Sequence, residues 1–227
     1  MFDYYYLILV VPAVILSLIA QIMVQSTFKK YSKIPSSKGV TGKDAANLLL
    51  RENGINDVSI EAVKGSLTDH YDPGAKKLRL SETVFAVPSI AAVGVAAHET
   101  GHAIQHARAY RPLGLRSGLV PVANIGSTVG PWCAIMGLIL NRPVFITIGI
   151  FLFSAAVLFY LVTLPVEFNA SARAMAILKD QNVLTDDELK GVKKVLTAAA
   201  MTYVAAAITA LMSLLRLILL SRGGRKR

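Results

Sequence analysis

The chain of 227 residues has one cysteine, Cys133, so no disulfide can form within it and its cysteine usage says nothing about an oxidising compartment. It has no internal repeat and no low-complexity segment, so it is not built as a repeat array. No charged residue lies between Asp3 and Lys29. A cleaved signal peptide would open on basic residues and carry a shorter apolar run, and Asp3 with three tyrosines fits that pattern poorly. The other apolar runs are almost as poor in ionisable groups, which argues against a transporter lined by polar side chains. Despite a net charge of +10, there is no compact basic stripe interleaved with aromatics, so no nucleic acid is expected as a partner. The basic residues sit beside apolar runs, where attraction to anionic lipid headgroups accounts for them.

What the chain does have is apolar sequence in blocks, at about residues 4–23, 119–140, 144–164 and 198–220. Each is close to the roughly 20 residues needed to cross a bilayer. The second and third are separated only by Asn141, Arg142 and Pro143, which predicts a membrane hairpin with a very short turn. Arg216 lies near the end of the fourth block, where a long side chain can reach the interface. Four spans place both termini on one side and the two polar segments, 24–118 and 165–197, together on the other. Lys29, Lys30, Lys33, Arg108, Arg111, Arg116, Lys190, Lys193 and Lys194 flank the spans on the side of the polar segments. Arg142 and the tail residues Arg222, Arg225, Lys226 and Arg227 lie opposite. The positive-inside bias therefore predicts polar segments in the cytoplasm.

Within the first polar segment, Thr41 precedes an apolar-periodic run that stops before Asn53 and Gly54, predicting a short amphipathic helix over residues 42–51. From 58 to 84 the pattern alternates, with Val58, Ile60 and Ala62, then Leu78 and Leu80 after the turn "DPGAKK". This predicts a small antiparallel sheet, with an edge near Leu78 to which an extended peptide could add. Pro88 and Ser89 open an alanine-rich stretch without proline until Pro112, which predicts a helix. Thr185 and Glu188 form a T-x-x-E capping box that starts the helix entering the last span.

The alanine-rich helix contains "AAHETGHAIQH", which holds three of the chain's four histidines. Residues four apart share a helix face, so His98 and His102 can offer two imidazole nitrogens to one ion, with Glu99 beside it. That is the H-E-x-x-H arrangement: two neutral imidazoles for Zn²⁺ and a carboxylate placed to take a proton from water. His106 is eight residues from His98, about 12 Å along a continuous helix, too far to share the ion. A metzincin would need glycine at 105 and histidine at 108, where this chain has Gln105 and Arg108. Catalytic zinc takes three protein ligands, and Glu167 in "TLPVEFNASARA" is a candidate third, on a new helix opened by Pro165. Spacing leaves open whether Glu167 is a ligand or simply an anion at a helix N-terminus. His70 and Tyr71 in "DHYDP" are candidate donors to a reaction oxyanion, or ordinary strand residues.

Taken together, "LTDHYDPGAKKLRLSE", "AAHETGHAIQH" and "LPVEFNASARA" resemble the YugP-type family of bacterial membrane neutral zinc metallopeptidases, which is similar in turn to the HtpX- and Ste24-like gluzincin membrane proteases. The resemblance implies a mainly α membrane protein with about four transmembrane helices and a small α+β gluzincin-like domain built around the HExxH helix. It implies Zn²⁺ held by His98, His102 and Glu167, with Glu99 as general base. Family members carry an aspartate where this chain has Asn169, which puts a role for that position in orienting a ligand histidine in doubt; His106 is expected to be a bystander or to support a ligand.

The corresponding division is an N-terminal span (1–27), a metalloprotease region (28–118), a transmembrane hairpin (119–164), a third-ligand helix with polar connector (165–197) and a C-terminal span with basic tail (198–227). The implied activity is hydrolysis of peptide bonds in membrane-associated or misfolded polypeptides, by a multi-pass protein of the bacterial cell membrane with its site at the cytoplasmic face. The competing class is a zinc-binding membrane scaffold without turnover, which would have no use for a carboxylate that does not ligate.

Overall fold

The computed structural model describes residues 3–223, so the tail residues Arg225, Lys226 and Arg227 lie outside it. The architecture is mainly helical, with one three-stranded sheet. Two compact units divide the chain: residues 22–113 with 166–200 form a polar unit, and the remaining segments an apolar one.

Among the described residues, four helices are long and apolar enough to cross a membrane, which marks the chain as a membrane protein. The first opens with a π-helical turn, Tyr6–Val10, and continues as α1, Val11–Tyr31. The others are α4, Arg111–Ile139, α5, Pro143–Asp180, and α6, Asp186–Gly223. Leu18, Ile22, Trp132 and Phe151 on these helices are exposed. Burying such a side chain away from water is worth roughly 1.5–3 kcal/mol. Their exposure is therefore explained by lipid contact.

In the apolar unit the predicted hairpin is present, with Asn141 in the left-handed region at φ 52° and Pro143 opening α5. Helices in lipid gain little from burying apolar surface and associate by close backbone approach instead. A Cβ on Gly149 would fall 2.4 Å from the Ala134 nitrogen, so α4 and α5 touch here only because that side chain is missing. Arg216 does not reach the interface unaccompanied: its Nε donates to Asp3 Oδ2 at 2.9 Å.

In the polar unit, α2 spans Gly42–Glu52, within a residue of expectation. It begins at a capping box in which Thr41 and Asp44 each bond the other's backbone N–H. Strands β1, Ser59–Val63, β2, His70–Asp72, and β3, Lys77–Ser81, follow, and then α3, Ile90–Ala107, capped by Ser89. The sheet is not wholly antiparallel: its order is β1-β3-β2, with β1 parallel to β3 and β2 antiparallel to it. β3 lies between the two earlier strands and runs in the same direction as β1. The predicted edge near Leu78 is therefore the middle of the sheet, and the free edges belong to β1 and β2. Leu49 of α2, Leu78 and Leu80 of β3, Val93 of α3, Leu178 of α5 and Val192 of α6 are fully buried in one core.

Pro165 does not open a new helix, because α5 runs unbroken through it. A mid-helix proline forfeits one backbone hydrogen bond, yet helices of membrane proteins tolerate it where neighbouring groups satisfy the freed carbonyl. The Thr185–Glu188 box is present, with Thr185 N–H donating to Glu188 Oε2 at 2.7 Å. The same carboxylate accepts from the Ser37 N–H at 2.6 Å, tying the segment after α1 to the start of α6.

Candidate metal centre

α3 carries His98 and His102 one turn apart on the side that faces α5. The two helices approach so closely because Gly101 lies between the histidines; a Cβ there would meet the Ala170 carbonyl oxygen at 2.5 Å. That contact brings Glu167, one turn before Ser171, over the imidazoles. Glu167 Oε2 lies 3.3 Å from His98 Nε2 and 3.6 Å from His102 Nε2. One donor atom from each of the three residues lies within 4.8 Å of the others. A tetrahedral ion with bonds of about 2.0–2.1 Å separates its donors by roughly 3.3–3.4 Å, so the donor set fits zinc in both chemistry and spacing. The Glu167 carboxylate is 2% exposed and the two imidazoles 13% and 11%, leaving an opening only on the histidine side.

A ligating nitrogen must keep its lone pair, and the surroundings of His102 dictate which nitrogen does. Gln105 Nε2 donates to the Val166 carbonyl at 2.8 Å and to Asn169 Oδ1 at 3.0 Å. A backbone carbonyl only accepts, so the amide nitrogen must face it and Oε1 must face His102 Nδ1, 3.0 Å away. Nδ1 therefore carries the proton, and Nε2, directed toward Glu167, is free to bind metal. His98 Nδ1 lies 3.0 Å from the Ser171 hydroxyl, which can accept the equivalent proton. Asn169 Oδ1 also accepts from Arg173 Nε at 2.7 Å. Asn169 thus reaches His102 through Gln105.

Glu99 lies outside this donor set, and its Oε2 accepts the Tyr71 N–H at 3.2 Å. Burial pushes the Glu99 carboxyl up, against the opposing pull of His98 and His102. Tyr71 therefore stands at the site through its backbone, while its hydroxyl lies 2.8 Å from His106 Nδ1. Burial, followed by the charges of Asp57 and Asp72, raises the Tyr71 phenol and keeps it protonated. His106 is no third donor, since α3 is continuous from Ile90 to Ala107. His70 is turned elsewhere, its Nδ1 2.9 Å from the Thr68 carbonyl and its Nε2 beside Arg79.

Sequence reading did not single out Gln105, Ser171 or Gly101. The signal was available in spacing: Gln105 is three residues after His102 and Ser171 four after Glu167, each on its neighbour's helix face.

The sequence has counterparts among known proteins. Residues 6–222 match the sequence model of a family described as "Putative neutral zinc metallopeptidase". The chain is 48% identical over 220 residues to the "Putative membrane protease YugP" of Bacillus subtilis (strain 168), covering 97% of this chain and 98% of that protein. No solved structure gives a significant match. With nearly its whole length matched, the chain belongs to this family of neutral zinc metallopeptidases.

Proposed function

We propose that the protein is a membrane-bound zinc endopeptidase of the gluzincin type, hydrolysing peptide bonds in membrane-associated or misfolded polypeptides. The observation that carries the reading is the separation of roles in one turn of α3. His98, His102 and Glu167 form a donor set, while the adjacent Glu99 stays outside it, held by the Tyr71 N–H. A purely structural zinc site closes its coordination and has no use for a nearby free carboxylate, which disfavours the alternative of a zinc-binding scaffold without turnover.

His98 Nε2, His102 Nε2 and Glu167 Oε2 would hold the ion. Zinc bound there supplies Lewis acidity, lowering the pKa of a water and polarising the peptide carbonyl. Glu99 takes the proton of the attacking water and passes it to the leaving amine; a carboxyl raised by burial suits that exchange near neutral pH. Tyr71, protonated and with its hydroxyl 2.8 Å from His106 Nδ1, is the side chain we assign to steady the oxyanion. An extended substrate laid along β2 would pass beside Glu99, whose partner is the Tyr71 N–H of that strand. The basic residues flanking the spans favour a cytoplasmic site in a bacterial cell membrane.

The test is zinc content and cleavage of an unfolded model substrate by detergent-purified protein. Wild type should hold one zinc per chain and cleave. Glu99→Gln should hold zinc and not cleave, and Glu167→Ala should lose zinc. Turnover by Glu99→Gln, or full zinc retention by Glu167→Ala, would overturn the respective assignment.

A further inference from the structure

The polar unit contains a cleft of about 550 Å³ on α1 and α6, well separated in sequence from the histidine motif. It is a groove between two helix faces. Met23, Thr27, Lys30 and Tyr31 come from one face of α1, at the three- and four-residue spacing of 23, 27 and 30 or 31, and Lys190, Lys193, Lys194 and Ala198 come from one face of α6 in the same way. No carboxylate lines it. Lys190 is paired with Asp187 at 2.8 Å, but among the described residues no carboxylate pairs with Lys30, Lys193 or Lys194. Lys30 Nζ lies over the Tyr31 ring, 5.6 Å from its centroid, and Lys193 and Lys194 stand on the same groove without a carboxylate partner among the described residues, so an anion joining them would relieve like-charge repulsion.

The groove is formed by packing. Gly191 admits the buried Tyr31 ring, and a Cβ there would meet Tyr31 Cε1 at 2.9 Å. The lysines are exposed while Tyr31 and Ala198 are buried, so the rim is cationic and the floor apolar. The rim also sits where both helices change character. Toward its N-terminus α1 carries no charge from Phe28 back to Val11, and α6 carries none from Val195 to Leu215. A ligand matching this groove has a phosphate at the level where charge ends and hydrocarbon where the apolar helix surface begins.

We infer that this groove is a binding site for an anionic glycerophospholipid, its phosphate held by Lys30, Lys193 and Lys194 and its glycerol and upper acyl segment lying along Met23 and Ala198. Juxtamembrane lysines each favour anionic lipid by about 1 kcal/mol, which is about fivefold. A site held by three lysines therefore discriminates strongly against a zwitterionic lipid. This is independent of any peptidase activity.

The experiment reconstitutes the full chain in nanodiscs of equal phosphatidylglycerol and phosphatidylcholine, then counts retained lipids by native mass spectrometry. Wild type should retain phosphatidylglycerol at least about fivefold over phosphatidylcholine. Lys193→Gln/Lys194→Gln should lose that preference, Lys193→Arg/Lys194→Arg should keep it, and Lys64→Gln/Lys179→Gln, outside the groove, should leave it unchanged. Helicity by circular dichroism identifies a variant that has not folded, in which case the arginine pair decides, since loss of preference there overturns the site. Equal retention by wild type, or an unchanged preference in Lys193→Gln/Lys194→Gln, overturns the inference. Excess inorganic phosphate should not displace the bound lipid; displacement would reassign the groove to a free anion and overturn the lipid assignment.

Discussion

At the scale of single residues, Gln105 is the most exacting position outside the donor set. Its amide is oriented by a carbonyl that can only accept, and through that orientation it decides which His102 nitrogen is free. Gln105→Leu keeps the volume but removes the acceptor for Nδ1–H and the donor to Val166. Losing a hydrogen-bonded partner of a metal ligand weakens the metal by typically about 10–100-fold, and stranding buried polar groups costs about 1–3 kcal/mol. The expected result is that zinc competition against a calibrated chelator shows weaker binding while a lower melting temperature still reports a folded chain. Gln105→Glu should do less harm to zinc binding, since its carboxylate still accepts from Nδ1–H. Equal zinc affinity in wild type and Gln105→Leu would mean that His102 needs no help to choose its tautomer. His98 and Ser171 form a weaker version of the same device, because a hydroxyl can donate as well as accept.

At the scale of elements, the site is a contact between α3 and α5, and one missing side chain permits it. Gly101→Ala would drive a Cβ into backbone, the Ala170 carbonyl, which cannot rotate aside. Separating the helices should cost about 1–3 kcal/mol of overpacking strain and should also weaken zinc, because Glu167 rides on α5. Gly94→Ala is the control on the same helix: its Cβ meets a Val192 methyl at 3.0 Å, a side chain that can yield. A milder fall in melting temperature with zinc binding preserved is expected there. If both substitutions reduced zinc binding equally, the close approach at Gly101 would not be what brings Glu167 into place.

This scale also separates what the sequence reveals from what it hides. The apolar runs, the capped start of α2, the Thr185–Glu188 box and the HExxH spacing are local patterns, and the structure has each of them. The pairing of β1 with β3 is not local, since alternation within a strand says nothing about which neighbour it chooses. Pro165 misleads for a related reason. A proline suits a first helical turn, but whether a helix resumes or merely continues depends on what surrounds the freed carbonyl.

At the scale of the whole molecule, a metal held by the proposed donor set would be linked to the fold. The third donor is 65 residues beyond the second, so an ion held by all three ties α3 to α5 across a long stretch of chain. A ligand that binds only the folded state adds stability that grows with its concentration over its dissociation constant. Chelation should therefore lower the melting temperature of wild type and leave that of Glu167→Ala nearly unchanged. A chelator shift of the same size in both would place the stabilising metal elsewhere.

The order of the donors along the chain has one more consequence, in time. His98 and His102 precede the α4–α5 hairpin and Glu167 follows its apolar part. During synthesis, every chain therefore displays two imidazoles and a free Glu99 long before the carboxylate that completes the set has been made. On the proposed function, two donors would hold zinc poorly and Glu99 would have little to act on without it. The newborn polypeptide would then carry an incomplete hydrolytic centre through the very period when its own unfolded segments are the nearest substrates, to be finished only by a chain already extended through both hairpin helices.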